Sequence, residues 1–224
     1  MKILILGPQS RNERIISFLE EMGNSTSITE ESIDLAFAEK NEIEFLVSNG
    51  YAPILKPPLI TEYAGRIINI HPSYLPYGRG IGGNFWSFFL GSPKGVSVHL
   101  INSDIDTGDV LVQRLAEFGP GENLRTSNAT LIKAAEDLFI EAWPEISAGD
   151  ATPLPQDEMT AGNYHNRRQT EQMLDYLPEL WETPTSHVEE LGADMSVSAA
   201  LWSAVDRDIF PMKSAHQRSE QQGS

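Results

Sequence analysis

Apolar residues fill Lys2–Leu6 and stop at Gly7-Pro8, the pattern of a buried strand entering a turn. Asn12–Met22 then repeats Ile15, Ile16, Phe18, Leu19 and Met22 at helical spacing, so the chain opens β-α. The pattern predicts a second strand over Ser25–Thr29, a short helix over Glu31–Glu39 and a third strand over Glu44–Ser48, closed by Asn49-Gly50. Pro57, Pro58 and Leu59 start a helical stretch to Tyr63, and Arg66–His71 is the next strand. Gly95–Ile101 alternates Val96, Val98 and Leu100 with Ser97 and His99, the period of a half-buried strand. Another strand is expected over Asp109–Phe118.

A long helix capped by Ser127 or Asn128 is expected next, with Leu131, Ile132, Ala135, Leu138, Phe139, Ala142 and Trp143 on one face and Pro144 tightening its end. Strands alternating with helices imply an α/β fold: a doubly wound, mostly parallel, Rossmann-like sheet with ligands beyond the carboxyl ends of its strands. His71 and Asp106 are expected at such ends. From Ala148 the composition shifts to Gly, Asp, Pro and Thr, followed by short helices near Thr170–Tyr176 and Ser186–Leu191. The organisation expected is a catalytic domain over 1–149, a smaller C-terminal extension over 150–212, and a disordered polar tail over 213–224. No internal repeat is present.

Charge and cysteine content narrow the chemistry. Asp and Glu number 32 against 16 Lys and Arg, a formal net charge of -16, so polyphosphate backbones are repelled and nucleic acid is an unexpected partner. The absence of cysteine removes disulfides, thiolate metal sites and a Cys nucleophile. The five histidines form no helical pair suited to a metal, and none is expected to be bound. The first strand is followed by Gln9, Ser10 and Arg11, not by a cleavable small-residue site, and no apolar run reaches membrane-spanning length, so a cytoplasmic protein is expected. A lone Gly7 after the first strand is not a dinucleotide fingerprint, which needs three glycines at fixed offsets.

The chemistry concentrates in Asn69-Ile70-His71-Pro72-Ser73 and Asp106-Thr107-Gly108. Asn69 and His71 stand two apart on a strand and share a face. An amide N–H and an imidazole can stabilise charge on a carbonyl oxygen during acyl transfer to an amine, and a preorganised donor is worth roughly 3–4 kcal/mol there. Asp106 would orient His71 and favour its protonated form, or take the amine's proton through water. Alone, His-Pro-Ser reads as a turn with a satisfied imidazole and Asp-Thr-Gly as an Asx turn. Their order and spacing in one α/β chain favour catalysis. His99 could border the same cleft, although a buried, hydrogen-bonded strand residue is the simpler account.

From Asn49 to about Gln113 the chain resembles the 10-formyltetrahydrofolate-dependent formyltransferases. The likeness runs through Gly50-Tyr51-Ala52-Pro53-Ile54-Leu55, Ile67-Ile68-Asn69-Ile70-His71-Pro72-Ser73-Tyr74-Leu75-Pro76 and Ser103-Asp104-Ile105-Asp106-Thr107-Gly108-Asp109-Val110-Leu111. The resemblance implies Asn69, His71 and Asp106 as the catalytic residues. It also implies 10-formyltetrahydrofolate as cofactor, its pterin contacted by Pro53, Ile54 and Leu55 and by Ile101, Asn102, Ser103 and Asp104, partly through backbone groups.

Within that family, Leu75-Pro76-Tyr77-Gly78-Arg79-Gly80 and Asn84-Phe85-Trp86-Ser87-Phe88 are most similar to enzymes that formylate amino sugars on nucleotides, with Gly78 and Gly83 departing from the usual pattern. Such an acceptor implies a cation for its diphosphate, drawn from Arg79, Arg167 or Arg168, and an apolar surface for its base. Tyr77, Asn84 and Trp86 are the accompanying candidates, while Phe88 and Phe89 suit helix packing equally well. A solvated helix start is the alternative for Arg167 and Arg168. Among other acceptors, glycinamide ribonucleotide would be held by a first loop that here contains Pro8, which has no N–H to donate. A tRNA acceptor would need a basic surface and a full second domain. An inactive folate- or nucleotide-binding relative is the non-enzymatic alternative. Leu174, Leu177 and Leu180 hint at a homodimer.

Overall fold

The computed structural model describes residues 1–156 and 164–194. Its main sheet has six strands: β1 (Lys2–Leu6), β2 (Ser25–Thr29), β3 (Phe45–Ser48), β4 (Ile67–His71), β6 (Gly95–Leu100) and β7 (Val110–Leu115), in the order β2-β1-β3-β4-β6-β7. The β2, β1, β3 and β4 neighbours pair in parallel, whereas β6 pairs antiparallel with β4, and β7 antiparallel with β6. A two-residue strand, β5 (Arg79–Gly80), pairs separately with β8 (Tyr164–His165). The helices are α1 (Gln9–Glu21), α2 (Leu35–Lys40), α3 (Pro57–Glu62), α4 (Gly83–Phe89), α5 (Leu124–Ala148), α6 (Arg167–Leu174) and α7 (Thr185–Ala193). The mostly parallel α/β architecture is the one expected; the antiparallel pair is an addition to it.

Alternation along the strands decides what each face meets. Ile3, Ile5, Phe45, Val47, Ile68, Ile70, Val96 and Val98 face α1 and α5, where Ile15, Leu19, Leu131, Leu138, Phe139 and Trp143 complete a core. Leu4, Leu6, Leu46 and Ile67 face the opposite way, onto Ala38, Leu59 and Tyr63 of the α2–α3 layer. Asn69 and His71 share the face of Ile67, beyond the reach of that second layer. In β6 the expected alternation is present, yet the strand is not half-buried. Ser97 and His99 are as buried as Val96 and Val98, because the Ser73–Leu75 segment and the β4 side chains cover their face. Ser97 Oγ accepts from Leu75 N (3.1 Å) and donates to Ser73 O (2.8 Å).

Helix boundaries differ from the pattern where side chains cap the backbone. Asp34 accepts from Phe37 N, so α2 starts at Leu35 and not near Glu31. Asn123, not Ser127 or Asn128, caps α5, with Thr126 reciprocating to the Asn123 N–H. Pro144 does not end that helix. The proline forfeits one backbone hydrogen bond, but Trp143 and Ile146 on either side are buried against the sheet, and the helix continues to a left-handed cap at Gly149.

Residues 164–194 pack on α4. Phe85, Trp86, Phe88 and Phe89 join Leu124, Met173, Leu174, Leu177 and Val188 in a third cluster. Leu174 and Leu177 are therefore core residues, and of the leucines read as a hint of a homodimer only Leu180 is exposed. The expected tail over 213–224, with the end of the expected extension, lies outside the described residues. Helix α7 approaches α4 so closely that a Cβ on Gly192 would sit 1.7 Å from the Phe89 carbonyl oxygen. Gly192→Ala is expected to cost about 1–3 kcal/mol by overpacking, measured as a lowered midpoint of denaturant unfolding.

Candidate functional site

The site forms where β4 ends. Antiparallel pairing sets Asn69 directly opposite His99, so their side chains meet on one face of the sheet. Asn69 Nδ2 donates to His99 Nε2 at 3.2 Å, and His99 Nδ1 donates to Leu100 O at 2.8 Å. The Leu100 carbonyl can only accept, which fixes neutral His99 as the Nδ1–H tautomer with its Nε2 lone pair facing Asn69. The second Nδ2 hydrogen has Asp106 Oδ1 at a longer 3.4 Å. Both neighbours are acceptors, so the amide nitrogen of Asn69 must face into the cluster. Sequence reasoning placed His99 in a buried strand, which it is, but missed its contact with the candidate catalytic groups. The signal lay in the strand period: residues 97 and 99 share a face, and that face meets the Asn69 and His71 side of β4.

Asp106 closes the cluster from a loop that folds back over β4. Because β6 runs antiparallel to β4, its carboxyl end lies away from the end of β4, and the expectation that His71 and Asp106 both extend from parallel strand ends is corrected. The turn reaches back through a close approach. Gly108 lies against the Leu100 carbonyl, where a Cβ would be 1.8 Å from the oxygen. Asp106 itself adopts a left-handed conformation (φ 54). Its Oδ2 accepts from Gly80 N at 2.8 Å and lies 3.8 Å from His71 Nε2, while Oδ1 lies 3.6 Å from His99 Nε2. His71 Nε2 donates to Gly78 O at 3.0 Å. Burial pushes the Asp106 carboxyl up, but His71, His99, the Gly80 N–H and Arg79 together outweigh it and hold the carboxyl below its usual range. The carboxylate is therefore ionised at neutral pH.

A cleft of about 700 Å³ opens over Asn69, His71, His99 and Asp106. Pro53, Ile54 and Leu55 line one wall with Ile101, Asn102, Ser103 and Asp104. Asn102 Oδ1 holds the second of these loops, accepting from Asp104 N (3.1 Å) and Thr107 Oγ1 (2.8 Å). The other wall comes from residues 164–181, with Tyr164, Arg167, Thr170, Leu174 and Trp181. Arg11, from the first turn of α1, also lines the cleft. Its guanidinium donates to Asn49 Oδ1 at 2.9 Å, and burial lowers its pKa.

Several expected acceptor contacts are occupied elsewhere. Trp86 is buried, stacks on His165 at 3.7 Å between ring centres and donates its Nε1–H to Thr170 Oγ1 at 3.0 Å. Asn84 borders the cleft, but its amide donates to Leu124 O (2.9 Å) and Ser127 Oγ (3.0 Å), tying α4 to α5. Arg79 is buried and donates its Nε–H to Gln156 Oε1 at 3.1 Å. Tyr77, Arg79, Trp86 and Arg168 are absent from the cleft lining among the described residues, and of the arginines expected to meet a diphosphate only Arg167 faces it. Trp181 and Arg11 were not singled out from sequence. The available signal for Trp181 was a lone tryptophan beside Leu180 between the acidic Glu179 and Glu182.

The formyl transferase family model matches residues 11–143, more than half of the chain. The chain belongs to that family. A methionyl-tRNA formyltransferase from Solibacter usitatus is 36% identical over 117 residues, 52% of this chain and 38% of the relative. Another, from Levilactobacillus brevis, is 27% identical over 83% of this chain and 53% of its own length. The chain thus spans about half, or less, of the curated relatives it matches. Among solved structures, the formyltransferase PseJ from Anoxybacillus kamchatkensis, in complex with UDP-4,6-dideoxy-4-formamido-L-AltNAc and tetrahydrofolate, shares 36% identity and a TM-score of 0.78. That match covers 84% of this chain and 97% of PseJ.

Two buried histidines give the fold a pH signature. Burial pushes both His99 and His165 down to about 4, so the folded protein keeps them neutral where the unfolded chain protonates them near 6.5. The unfolded state then binds more protons across that window, and stability falls as pH drops from about 6.5 to about 4. Unfolding midpoints measured from pH 7 to pH 4 should decline accordingly. His165→Phe, which keeps the stacking on Trp86, should flatten the decline.

Proposed function

We propose that this chain is an N-formyltransferase that moves a formyl group from 10-formyltetrahydrofolate to the amine of a sugar linked to a nucleoside diphosphate. The observation that carries the reading is the convergence of Asn69, His71 and Asp106 in a cleft between the Pro53–Leu55 and Ile101–Asp104 loops and the aromatic, arginine-bearing wall of residues 164–181. PseJ supports the acceptor class through the sugar nucleotide in its complex and its 36% identity over nearly its whole length. The curated tRNA-formylating relatives point elsewhere, but they match over about half of their length at most, and a net charge of -16 opposes a polyanionic acceptor.

The residues present suit a folate. The 51–56 segment is neither helix nor strand, so its backbone polar groups are not committed to a ladder, and Ile54, Leu55, Ile60 and Ile101 supply apolar walls for a flat ring. When bound, 10-formyltetrahydrofolate supplies the formyl carbonyl that the amine attacks. Asn69 would offer an Nδ2–H to that oxygen by giving up its long contact with Asp106 Oδ1, while its bond to His99 keeps the amide from rotating. His71 would add a second donor to the same oxygen by turning its Nε2–H from Gly78 O. Asp106, ionised and fixed by the Gly80 N–H, would be placed to take the proton that the attacking amine loses and to return it to the leaving nitrogen. Arg167 meets a phosphate, and Tyr164 or Trp181 offers a face to the nucleobase.

The test is release of tetrahydrofolate when 10-formyltetrahydrofolate is mixed with UDP-, dTDP- and GDP-linked amino sugars. Turnover with one of them supports the reading; folate binding without turnover on any of them sinks it. Asn69→Ala, His71→Ala and Asp106→Ala are each expected to lower kcat by about 10²–10³-fold, as for loss of a preorganised oxyanion donor. Arg167→Ala should raise the acceptor KM about tenfold with kcat little changed, since a charge-assisted contact is worth about 1.5–3 kcal/mol.

A further inference from the structure

Gln156 lies beyond the family-matched span, yet it is bonded to the turn that carries Asp106. Its Nε2 donates to two backbone carbonyls, Asp106 O at 2.8 Å and Gly108 O at 2.7 Å, and its Oε1 accepts from Arg79 Nε at 3.1 Å. One primary amide thereby uses both hydrogens to grip the two ends of the Asp106–Thr107–Gly108 turn and its oxygen to grip the strand beside it. That strand is β5, whose Gly80 N–H holds Asp106 Oδ2. The segment is anchored in its own right: Leu154 and Val110 exchange backbone hydrogen bonds of 2.8 and 2.9 Å at the start of β7.

From this geometry we infer that Gln156 is a positioning residue for formyl transfer, setting the distance and angle at which Asp106 faces Asn69, His71 and the substrate amine. The inference rests on the role proposed above for Asp106. A left-handed backbone at a non-glycine residue costs energy and persists only where its surroundings over-determine it. Here the carbonyls of the turn are fixed by Gln156 and the carboxylate by Gly80, so the turn cannot relax to a commoner conformation without breaking both. Gln156 also fixes Arg79, a buried cation whose field reaches Asp106. The charged and titratable groups that face this carboxylate are His71 from β4, Arg79 from β5 and His99 from β6, and Gln156 bonds one of them directly.

Two substitutions in the full chain separate positioning from bulk stability. Gln156→Ala removes all of these bonds. Gln156→Glu keeps the acceptor for Arg79 but loses both donors and turns a carboxylate towards two carbonyl oxygens. Both are expected to lower kcat about 10–100-fold, in line with a small misplacement of a reacting group, while the KM values for folate and acceptor stay within about twofold. The acidic limb of the kcat–pH profile should move up in Gln156→Glu, because a second negative charge beside the turn disfavours ionised Asp106. The same shift, about one pH unit, is expected when Asp106 is titrated directly by ¹³C NMR of aspartate-labelled protein, assigned against Asp106→Asn. Gln156→Met, with a stem of similar length and no amide, carries the comparison if the alanine variant does not fold.

Unchanged kcat, pH profile and Asp106 titration in folded variants would overturn the inference, as would a lowered melting point with no other change. Absence of turnover in the unsubstituted chain would count against the proposed reaction instead, and the NMR titration would still decide whether Gln156 governs Asp106.

Discussion

The candidate site depends on keeping one ionised carboxylate in a place that water scarcely reaches. Burial alone would protonate Asp106, and the surrounding structure supplies what opposes it: a backbone N–H from Gly80, two imidazoles from adjacent strands and the buried Arg79. None of these groups is next to Asp106 in sequence. They come from three strands, β4, β5 and β6, so the sheet must be assembled, and β5 docked on β8, before the carboxylate is satisfied. The left-handed backbone at residue 106 and the packing of Gly108 against Leu100 belong to the same requirement, since both steer the loop back over β4.

The change from parallel to antiparallel pairing at β4 gives the cluster its shape. On the parallel side, chain reversal between β1 and its neighbours β2 and β3 leaves a crevice at the strand ends, where Arg11, Ser48 and Gly50 line the cleft. On the antiparallel side, direct cross-strand pairing sets His99 against Asn69. The tautomer of His99 and the orientation of the Asn69 amide follow from the partners that this pairing brings together.

Much of this could be read from the chain. The apolar run of β1 and the shared face of Asn69 and His71 follow from local period, and the loops at Pro53–Leu55 and Ile101–Asp104 from the family likeness; the structure gathers Asn69, His71 and both loops around one cleft. The acceptor side could not be read in this way. Asn84 and Trp86 look like free polar and aromatic groups until partners 43 and 84 residues away claim them. Arg79 looks like a loop cation until Gln156, 77 residues on, fixes it. Helical spacing says that one side of α4 is buried; it does not say that residues 164–194 cover the rest. Pro144 misled for a related reason, because tertiary packing of Trp143 and Ile146 overrides the local cost of a proline in the helix.

The two walls of the cleft have separate origins along the chain. One is built from loops inside the span shared with the family, the other from residues 164–181 beyond it, and they are joined through the two-residue ladder between β5 and β8 and the stacking of His165 on Trp86. Substitutions can therefore accumulate on the outer wall while the reacting groups stay in register, provided the ladder and the stack are kept. Under the proposed function, such a division would let acceptor choice diverge among descendants at little risk to the chemistry, a form of evolutionary modularity within a chain whose cleft is nonetheless continuous.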